Sequence, residues 1–456
     1  MAKRMRRAAA VARALRHARG LAERERWPRE RREAYQRQRL TELVRSAAAR
    51  SPYWASAAER YDPAVGVTSL PQLDKATMME RFDELVTDSR VRRDEVLEHV
   101  ERVQGDELYL GRYRAMTTSG SSGRKGLFVY DRQGWTGITA QFLYVSAING
   151  NRPRIPRRRI AAIGGGSPAH MTRRVAATVD IGMHRLLSLP VTLPLDQLVD
   201  ALNRFQPEFM HVYPSMGALL AEEQLAGRLR LKLRAMSTSS ELRTPEATAR
   251  LEEAFGVAAF DLYGTTEGLW AVDCERRDGL HLLEDDVIAE NVDEDGRPVP
   301  DGEPGARLLV TNLANRVQPI IRLEVPDAVT LAPERCACGR TLRRIERVEG
   351  RTDDVIWLRG ADARPVAVHP MQFSVVARDR DVVEFQVVQE GARLVVHVVG
   401  RGAGVEDRVR ARLQEHLASL GVAEVAIDVR RRESLERAAG GKLQIVVADR
   451  QALSTV

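Results

Sequence analysis

Cysteine is scarce in this chain of 456 residues: there are three. An odd, low count excludes the disulfide framework of a small secreted protein. Long apolar runs are missing as well, since no stretch approaches the 18 residues that a membrane-spanning helix needs. The charged start is followed by no apolar leader segment, so the chain reads as cytoplasmic. Aromatics make up 5%, and none is interleaved with the first arginines. A stacking platform for single-stranded nucleic acid needs such aromatics, so no nucleic-acid partner is expected. There is no internal repeat, and no low-complexity tract beyond the basic start.

What is present is positive charge, at a net +7 and mostly arginine. Lys3, Arg4, Arg6, Arg7, Arg13, Arg16 and Arg19 lie among Ala8, Ala9, Ala10, Val11, Leu15 and Leu21. This pattern predicts a helix with a solvated basic face. Length suggests two or three domains, and 44% hydrophobic content is enough for real cores. Helices are expected through residues 1–60, broken at Trp27-Pro28 and Ser51-Pro52, and again between Leu70 and Val103. From 127 to 264 short apolar runs ending in Gly or Pro alternate with helical periods at 135–149, 195–205 and 245–255. Strands alternating with helices predict an α/β fold with mostly parallel sheets, whose ligands gather at the carboxyl ends of the strands. A strand- and turn-rich stretch covers 280–330. Beyond about residue 353, alternation over 382–400, a helix at 405–420 and strands at 422–429 and 443–447 predict a small C-terminal α+β domain. The expected division is a helical basic region (1–110) belonging to the large domain, a binding core (111–352) and the C-terminal domain (353–456).

Residues 117–126 read Thr-Thr-Ser-Gly-Ser-Ser-Gly-Arg-Lys-Gly. Glycines let backbone N–H groups turn inward around an anion, hydroxyls add donors, and cations offset phosphate charge. The loop suits a polyphosphate but does not fit the Walker pattern. By itself it reads equally well as a flexible surface loop. Further on, Asp261-Leu262-Tyr263-Gly264-Thr265-Thr266-Glu267 presents an aromatic, two hydroxyls and a carboxylate at a strand end. There Glu267 could hold Mg²⁺, a hard cation that takes carboxylate and phosphate oxygens. Asp327 follows an apolar strand, Gly350-Arg351-Thr352-Asp353-Asp354 is a charged turn, and Gly440-Gly441-Lys442 presents a lysine before a terminal strand. Singly, each has a bland reading as a solvated turn.

Their order, together with Ser239-Ser240-Glu241, resembles the adenylate-forming superfamily of acyl-CoA synthetases, adenylation domains and luciferases. The resemblance covers about residues 110–450. Ser51-Pro52-Tyr53, Tyr213-Pro214-Ser215 and Cys336-x-Cys338-Gly339-Arg340 point to its phenylacetate–CoA ligase and capsule-biosynthesis-like branch. The resemblance implies ATP-dependent formation of an acyl-AMP, release of pyrophosphate and transfer of the acyl group to CoA. Thr118, Ser119, Gly120, Ser121, Ser122 and Gly123 would hold the β- and γ-phosphates, with Lys125 a candidate cation. Ser239, Ser240 and Glu241 would line the adenine and acyl pockets. Tyr263, flanked by Gly264 and Thr265, would stack on adenine; Thr266 would meet the α-phosphate and Glu267 the Mg²⁺. Asp327 and Arg351 would hold the ribose, Asp353 would be the hinge of a mobile C-terminal domain, and Lys442 would bridge the substrate carboxylate and the α-phosphate. Two departures stand out. Lys125-Gly126 occupies the place of the usual Pro-Lys, and Leu323 with Pro326 alters the strand leading to Asp327. Transfer to an amine or carrier-protein thiol, and a nucleotide-binding protein without turnover, remain alternatives, as does a homodimer.

The three cysteines cluster in sequence with a histidine. Cys274, His281, Cys336 and Cys338 supply a Cys₃His set suited to structural, tetrahedral Zn²⁺; three buried apolar cysteines are the bland alternative. His211, Tyr213, Ser215, His170 and Gly164 to Ser167 are candidate acid-pocket positions, with His211 and Tyr213 favoured as core.

Overall fold

The computed structural model describes residues 2–118, 126–151, 155–438 and 440–449. Helices α1 (Ala2–Arg24), α2 (Arg29–Ala48) and α3 (Pro52–Ala57) open the chain, with breaks where the two prolines predict them. Val11, Ala14, Ala18 and Leu21 bury one face of α1. The basic face of α1 is solvated only in part. Arg6, Arg16 and Arg19 are exposed, but Arg7 lies 3.6 Å from Asp106 and Arg24 2.5 Å from Asp285. Buried carboxylates far along the chain draw those arginines inward, and a local charge pattern carries no trace of them.

After α4 (Lys75–Glu80), α5 (Phe82–Leu85) and α6 (Arg93–Arg102) comes an antiparallel hairpin, β1 (Arg114–Thr117) with β2 (Leu127–Tyr130), and then α7 (Arg132–Ile148). The alternating segment follows: β3 (Arg159–Gly164), α8 (Met171–Val179), β4 (Arg185–Pro190), α9 (Leu195–Phe205), β5 (Phe209–Val212), α10 (Pro214–Leu225), β6 (Ala235–Ser239), α11 (Pro245–Phe255) and β7 (Ala259–Gly264). Local chemistry sets these bounds. In α11, Thr244 caps the N-terminus by accepting from Ala247 N at 3.1 Å, Pro245 stands at the first position, and Gly256 ends the helix at φ 66°.

The chain then turns antiparallel through β8 (Trp270–Asp273), β9 (Leu280–Leu282), β10 (Val287–Val292), β11 (Arg307–Asn312), β12 (Leu323–Val325), β13 (Asp327–Leu331) and β14 (Arg344–Arg351). One nine-stranded sheet runs in the order β13-β14-β9-β8-β7-β6-β5-β3-β4, parallel from β7 to β4. In a flat sheet β7 and β13 would lie roughly 19 Å apart, four spacings of about 4.8 Å. Yet Tyr263 at the end of β7 hydrogen-bonds Asp327 at the start of β13, so the sheet curls back on itself.

A separate hydrophobic core lies beyond residue 355. It joins β15 (Ile356–Arg359), β16 (Pro365–Val368), β17 (Val382–Glu390), β18 (Arg393–Gly400), α12 (Val405–Ser419), β19 (Ala426–Arg431) and β20 (Val446–Val447). Two expected strands are displaced. The one expected at 422–429 occupies 426–431, and the one at 443–447 shrinks to two residues paired with β17. In the missing part of the latter, Leu443 N donates instead to Glu241, which follows β6. No described helix is long and apolar enough to cross a membrane.

Candidate active site

The carboxyl ends of β3, β5, β6 and β7 meet around one cleft, as a parallel sheet requires. At the end of β7, Tyr263 Oη donates to Asp327 Oδ2 at 2.6 Å. Asp327 faces Arg351 directly across the β13–β14 ladder. Burial raises the Asp327 carboxyl, while Tyr263 and Arg351 pull it back. Burial and the Asp327 charge push the Tyr263 phenol well above its ordinary value. Together they form a polar edge of phenol, carboxylate and guanidinium, suited to a ring and a pair of hydroxyls.

The turn after β7 is held by groups that sequence reading did not assign. Tyr130 Oη donates to Thr266 O at 2.6 Å, and Asn312 Nδ2 donates to Glu267 O at 3.0 Å. Gly268 sits at φ 106°, and a Cβ there would lie 2.4 Å from Asn312 Nδ2, so only glycine closes this turn. Thr265 Oγ1 is buried without a hydrogen-bond partner among the described residues, a donor left for a ligand. Glu267 is 3% exposed, and its carboxylate lies 3.4 Å from Lys75 Nζ. Lys75 starts α4, and its side chain runs over Gly126, where a Cβ would come within 3.3 Å of Lys75 Cε. A cation therefore stands between the end of the Gly/Ser loop and the expected metal-binding carboxylate.

Ser119, Gly120, Ser121, Ser122, Gly123, Arg124 and Lys125 lie outside the described residues. The neck of their loop is described: Thr118 N donates to Gly126 O at 3.0 Å, and Gly126 N to Thr118 Oγ1 at 2.8 Å. The Thr118 hydroxyl thus accepts from the backbone and pins the loop's two ends together.

Opposite stands the lysine turn. Gly441 has φ 77°, and a Cβ on it would lie 2.0 Å from Val191 Cγ1. A Cβ on Gly165 would approach Gly440 O at 3.5 Å. Close backbone approach of the two segments seats Lys442 in the cleft. Its ammonium makes no hydrogen bond or ion pair with a described residue. Burial lowers its pKa, while Glu241 and Asp327 work to raise it. Glu241 follows Ser240, which is held at φ 75°. It accepts from Ser215 N at 3.0 Å, Ser215 Oγ at 3.1 Å and, across the domains, Leu443 N at 2.7 Å. Glu241 therefore serves as the latch under the lysine turn. Arg437, unremarked in the sequence, adds a bond of 2.6 Å to Ser215 Oγ.

His211 is a core residue, bridged to Ser237 Oγ at 2.9 Å and Ser239 Oγ at 3.1 Å, with burial pushing its pKa down to about 4. Tyr213 accepts from Gly165 N at 2.8 Å and shapes the glycine segment. For His170, burial and then the Lys442 charge take the pKa down to about 4. Asp353 is half-exposed and lies 3.1 Å from Arg351 Nη2 in the turn between β14 and β15.

Away from the cleft, the ligand atoms of Cys274, His281, Cys336 and Cys338 lie within 4.8 Å of one another. Cys274 Sγ is 3.7 Å from Cys336 Sγ, and Cys338 Sγ is 3.4 Å from His281 Nε2. Backbone N–H groups of Arg276, Cys338 and Arg340 point at the three sulfurs from 3.3 to 3.5 Å. Such donors favour thiolates, and with an imidazole the set fits a soft tetrahedral cation.

Three kinds of relative bear on this arrangement. The family described as AMP-binding enzyme matches residues 115–312. Phenylacetate-coenzyme A ligase of Escherichia coli (strain K12) is 31% identical over 269 residues, 55% of this chain and 58% of that protein. The ligase of the same name from Thermus thermophilus is 31% identical over 188 residues, 40% and 42% of the two chains. The matched region thus spans about half the length of these curated relatives. In fold, a 2-hydroxyisobutyryl-CoA ligase in the postadenylation state superposes with a TM-score of 0.74 at 21% identity, covering 95% of this chain and 93% of that one. The same ligase in the thioesterification state gives 0.58 at 21% identity over the same shares. Residues 115–312 thus share the pattern of AMP-binding enzymes, and the chain as a whole shares the fold of this ligase.

Proposed function

We propose that this protein is an AMP-forming acid–CoA ligase that activates a small carboxylic acid as its acyl-AMP. The observation that carries this reading is the meeting, in one cleft, of an unpaired Lys442 with Glu267 and the Tyr263–Asp327–Arg351 edge. A carboxylate approaches a triphosphate poorly because both are negative. Lys442 sits where it would neutralise the pair and stabilise the charge of the in-line displacement. The acid's oxygen forms a bond to the α-phosphorus while the bond to pyrophosphate breaks. A thiolate then attacks the acyl carbon, and AMP leaves. Tyr263 lies against the adenine and Asp327 with Arg351 holds the ribose, with Ser240, Gly264 and Thr265 around them. Thr266 meets the α-phosphate, and the loop above its Thr118–Gly126 neck holds the departing pyrophosphate.

Glu267, a buried carboxylate beside one cation, fits Mg²⁺ completed by phosphate oxygens; when bound, the ion would offset phosphate charge. Lys75 supplies further positive charge beside Glu267. The Cys₃His corner holds structural Zn²⁺. The higher similarity to the postadenylation structure supports assigning the present arrangement to the first half-reaction, with residues 353–456 moving about Asp353 for the second.

Pyrophosphate release across a panel of acids, with and without CoA, tests the function, starting with phenylacetate. Release with at least one acid and CoA-dependent thioester formation is expected. Release without thioester would move the reading to an amine or carrier-protein acceptor, and no release with any acid would sink it.

A further inference from the structure

A cavity of about 390 Å³ is lined by α1, α2, the first turn of α7, Asp286 and Ala314. Its walls carry Arg13 and His17 from α1, Arg39 from α2 and Arg132 from α7, against one carboxylate, Asp286. That carboxylate is already engaged, at 2.5 Å by His17 Nε2 and at 3.2 Å by Arg39 Nη1. The guanidinium groups of Arg13 and Arg132 make no hydrogen bond or ion pair with any described residue, and Arg13 Nε is buried without a partner. The charges nearest Arg13 are alike: besides burial, Arg132 and Arg16 lower its pKa. Bringing like guanidinium groups together around a concavity costs free energy that a bound anion would recover. The N-terminus of α7 is already capped by Asp131, which accepts from Gly134 N, and the Thr136 hydroxyl donates to Arg132 O, so the guanidinium groups and Gln133 are the donors that face this cavity.

We propose that this cavity is a binding site for a phosphate group, either free or at the end of a larger molecule. Guanidinium forks match a tetrahedral oxyanion, and a dianion satisfies both uncompensated arginines at once. The volume exceeds one phosphate and lies in the range of small-molecule pockets. The site is separate from the nucleotide cleft. The 118–126 loop leaves the hairpin at the Thr117–Leu127 pair, whereas α7 begins beyond the Arg114–Tyr130 pair at its other end. The three steps between these pairs put about 10 Å between the two.

Calorimetric titration of the full chain at fixed ionic strength, with inorganic phosphate and with adenosine 3′,5′-bisphosphate, tests this. Arg13→Gln and Arg132→Glu should each weaken binding about tenfold or more, the loss expected for one charged hydrogen bond, and leave the adenylation rate unchanged. Arg132 is exposed, so its variant keeps the test open if Arg13→Gln misfolds. Tighter binding of the bisphosphate than of phosphate would identify the end of a nucleotide-like molecule as the ligand; equal binding would identify free phosphate. Affinity unchanged in both variants, or binding of neither probe to the wild-type chain, would overturn the proposal.

Discussion

The two faces of the cleft are built in different ways. The wall formed by Tyr263, Glu267 and Asp327 is fixed by one continuous sheet and by amides that tie loops to it. Asn312 holds Glu267 O, and Asn315 and Gln318 bind the β1–β2 hairpin through Val129 and Leu127. The lysine turn opposite is docked. Among the described residues, the bonds that tie it and the segments around it to the earlier part of the chain include Leu443 N to Glu241, Arg437 to Ser215, Arg250 to the carbonyls of Arg380 and Val382, and Arg378 to Glu246. Each of these bonds with one charged partner contributes about 1.5–3 kcal/mol net. Under the proposed function, a wall that serves both half-reactions needs rigidity, whereas a group that serves only one must be able to leave.

The largest expected effect separates the two faces. Lys442→Ala should slow acyl-AMP formation by about 10²–10³-fold, as loss of a transition-state charge contact does. Use of preformed acyl-AMP should stay near wild type, and equal loss in both assays would show that the turn is not a detachable part. Asp327→Asn should act on the wall and raise KM for ATP about tenfold in the adenylation step. A change confined to kcat would remove Asp327 from the ribose. Lys75→Ala should lower adenylation by a similar or smaller factor, with the loss greatest at low Mg²⁺. Cys336→Ser should abolish metal content and lower the melting temperature by roughly 5 °C, because the cluster ties β9 to the β13–β14 turn. Wild-type protein free of zinc by elemental analysis would refute that role.

The smallest effect concerns pH. Glu384 lies under the docked turn beside Arg437, and burial followed by Glu241 pushes its carboxyl up to about 7 from an ordinary 4.5. Docking therefore favours its protonated form. Its contribution is complete below about pH 4.5 and fades as pH rises through about 7. Paired fluorophores on the two domains should report a more open arrangement at pH 8 than at pH 5.5, and Glu384→Gln should flatten that difference. An identical slope in the variant would clear Glu384 of the effect.

Much of this was legible in the sequence because it is local. The Thr244 cap, Gly256 and the periodicity of 195–205 specify helices whose bounds coincide with the observed ones. The order of motifs marked Tyr263, Glu267, Asp327 and Lys442. What the sequence concealed depends on long-range pairing. The strand expected at 443–447 shortens because Leu443 bonds Glu241, 202 residues away. From α1, Arg24 and His17 turn inward toward carboxylates 261 and 269 positions on. Lys75 carries no motif, yet one signal was available. The chain has only five lysines, at 3, 75, 125, 232 and 442, while arginine supplies nearly all other positive charge. Where arginine is the default, a retained lysine marks a place that calls for a compact cation on a flexible stem.

The glycine at 441 has a consequence for timing. Since the lysine turn enters a slot with no space for even a methyl group, the slot measures backbone shape before any charge meets the substrate. Gly441→Ala would act as a doorstop: the catalytic ammonium would be intact but unable to arrive, and the protein would dwell among conformations in which the first step cannot begin.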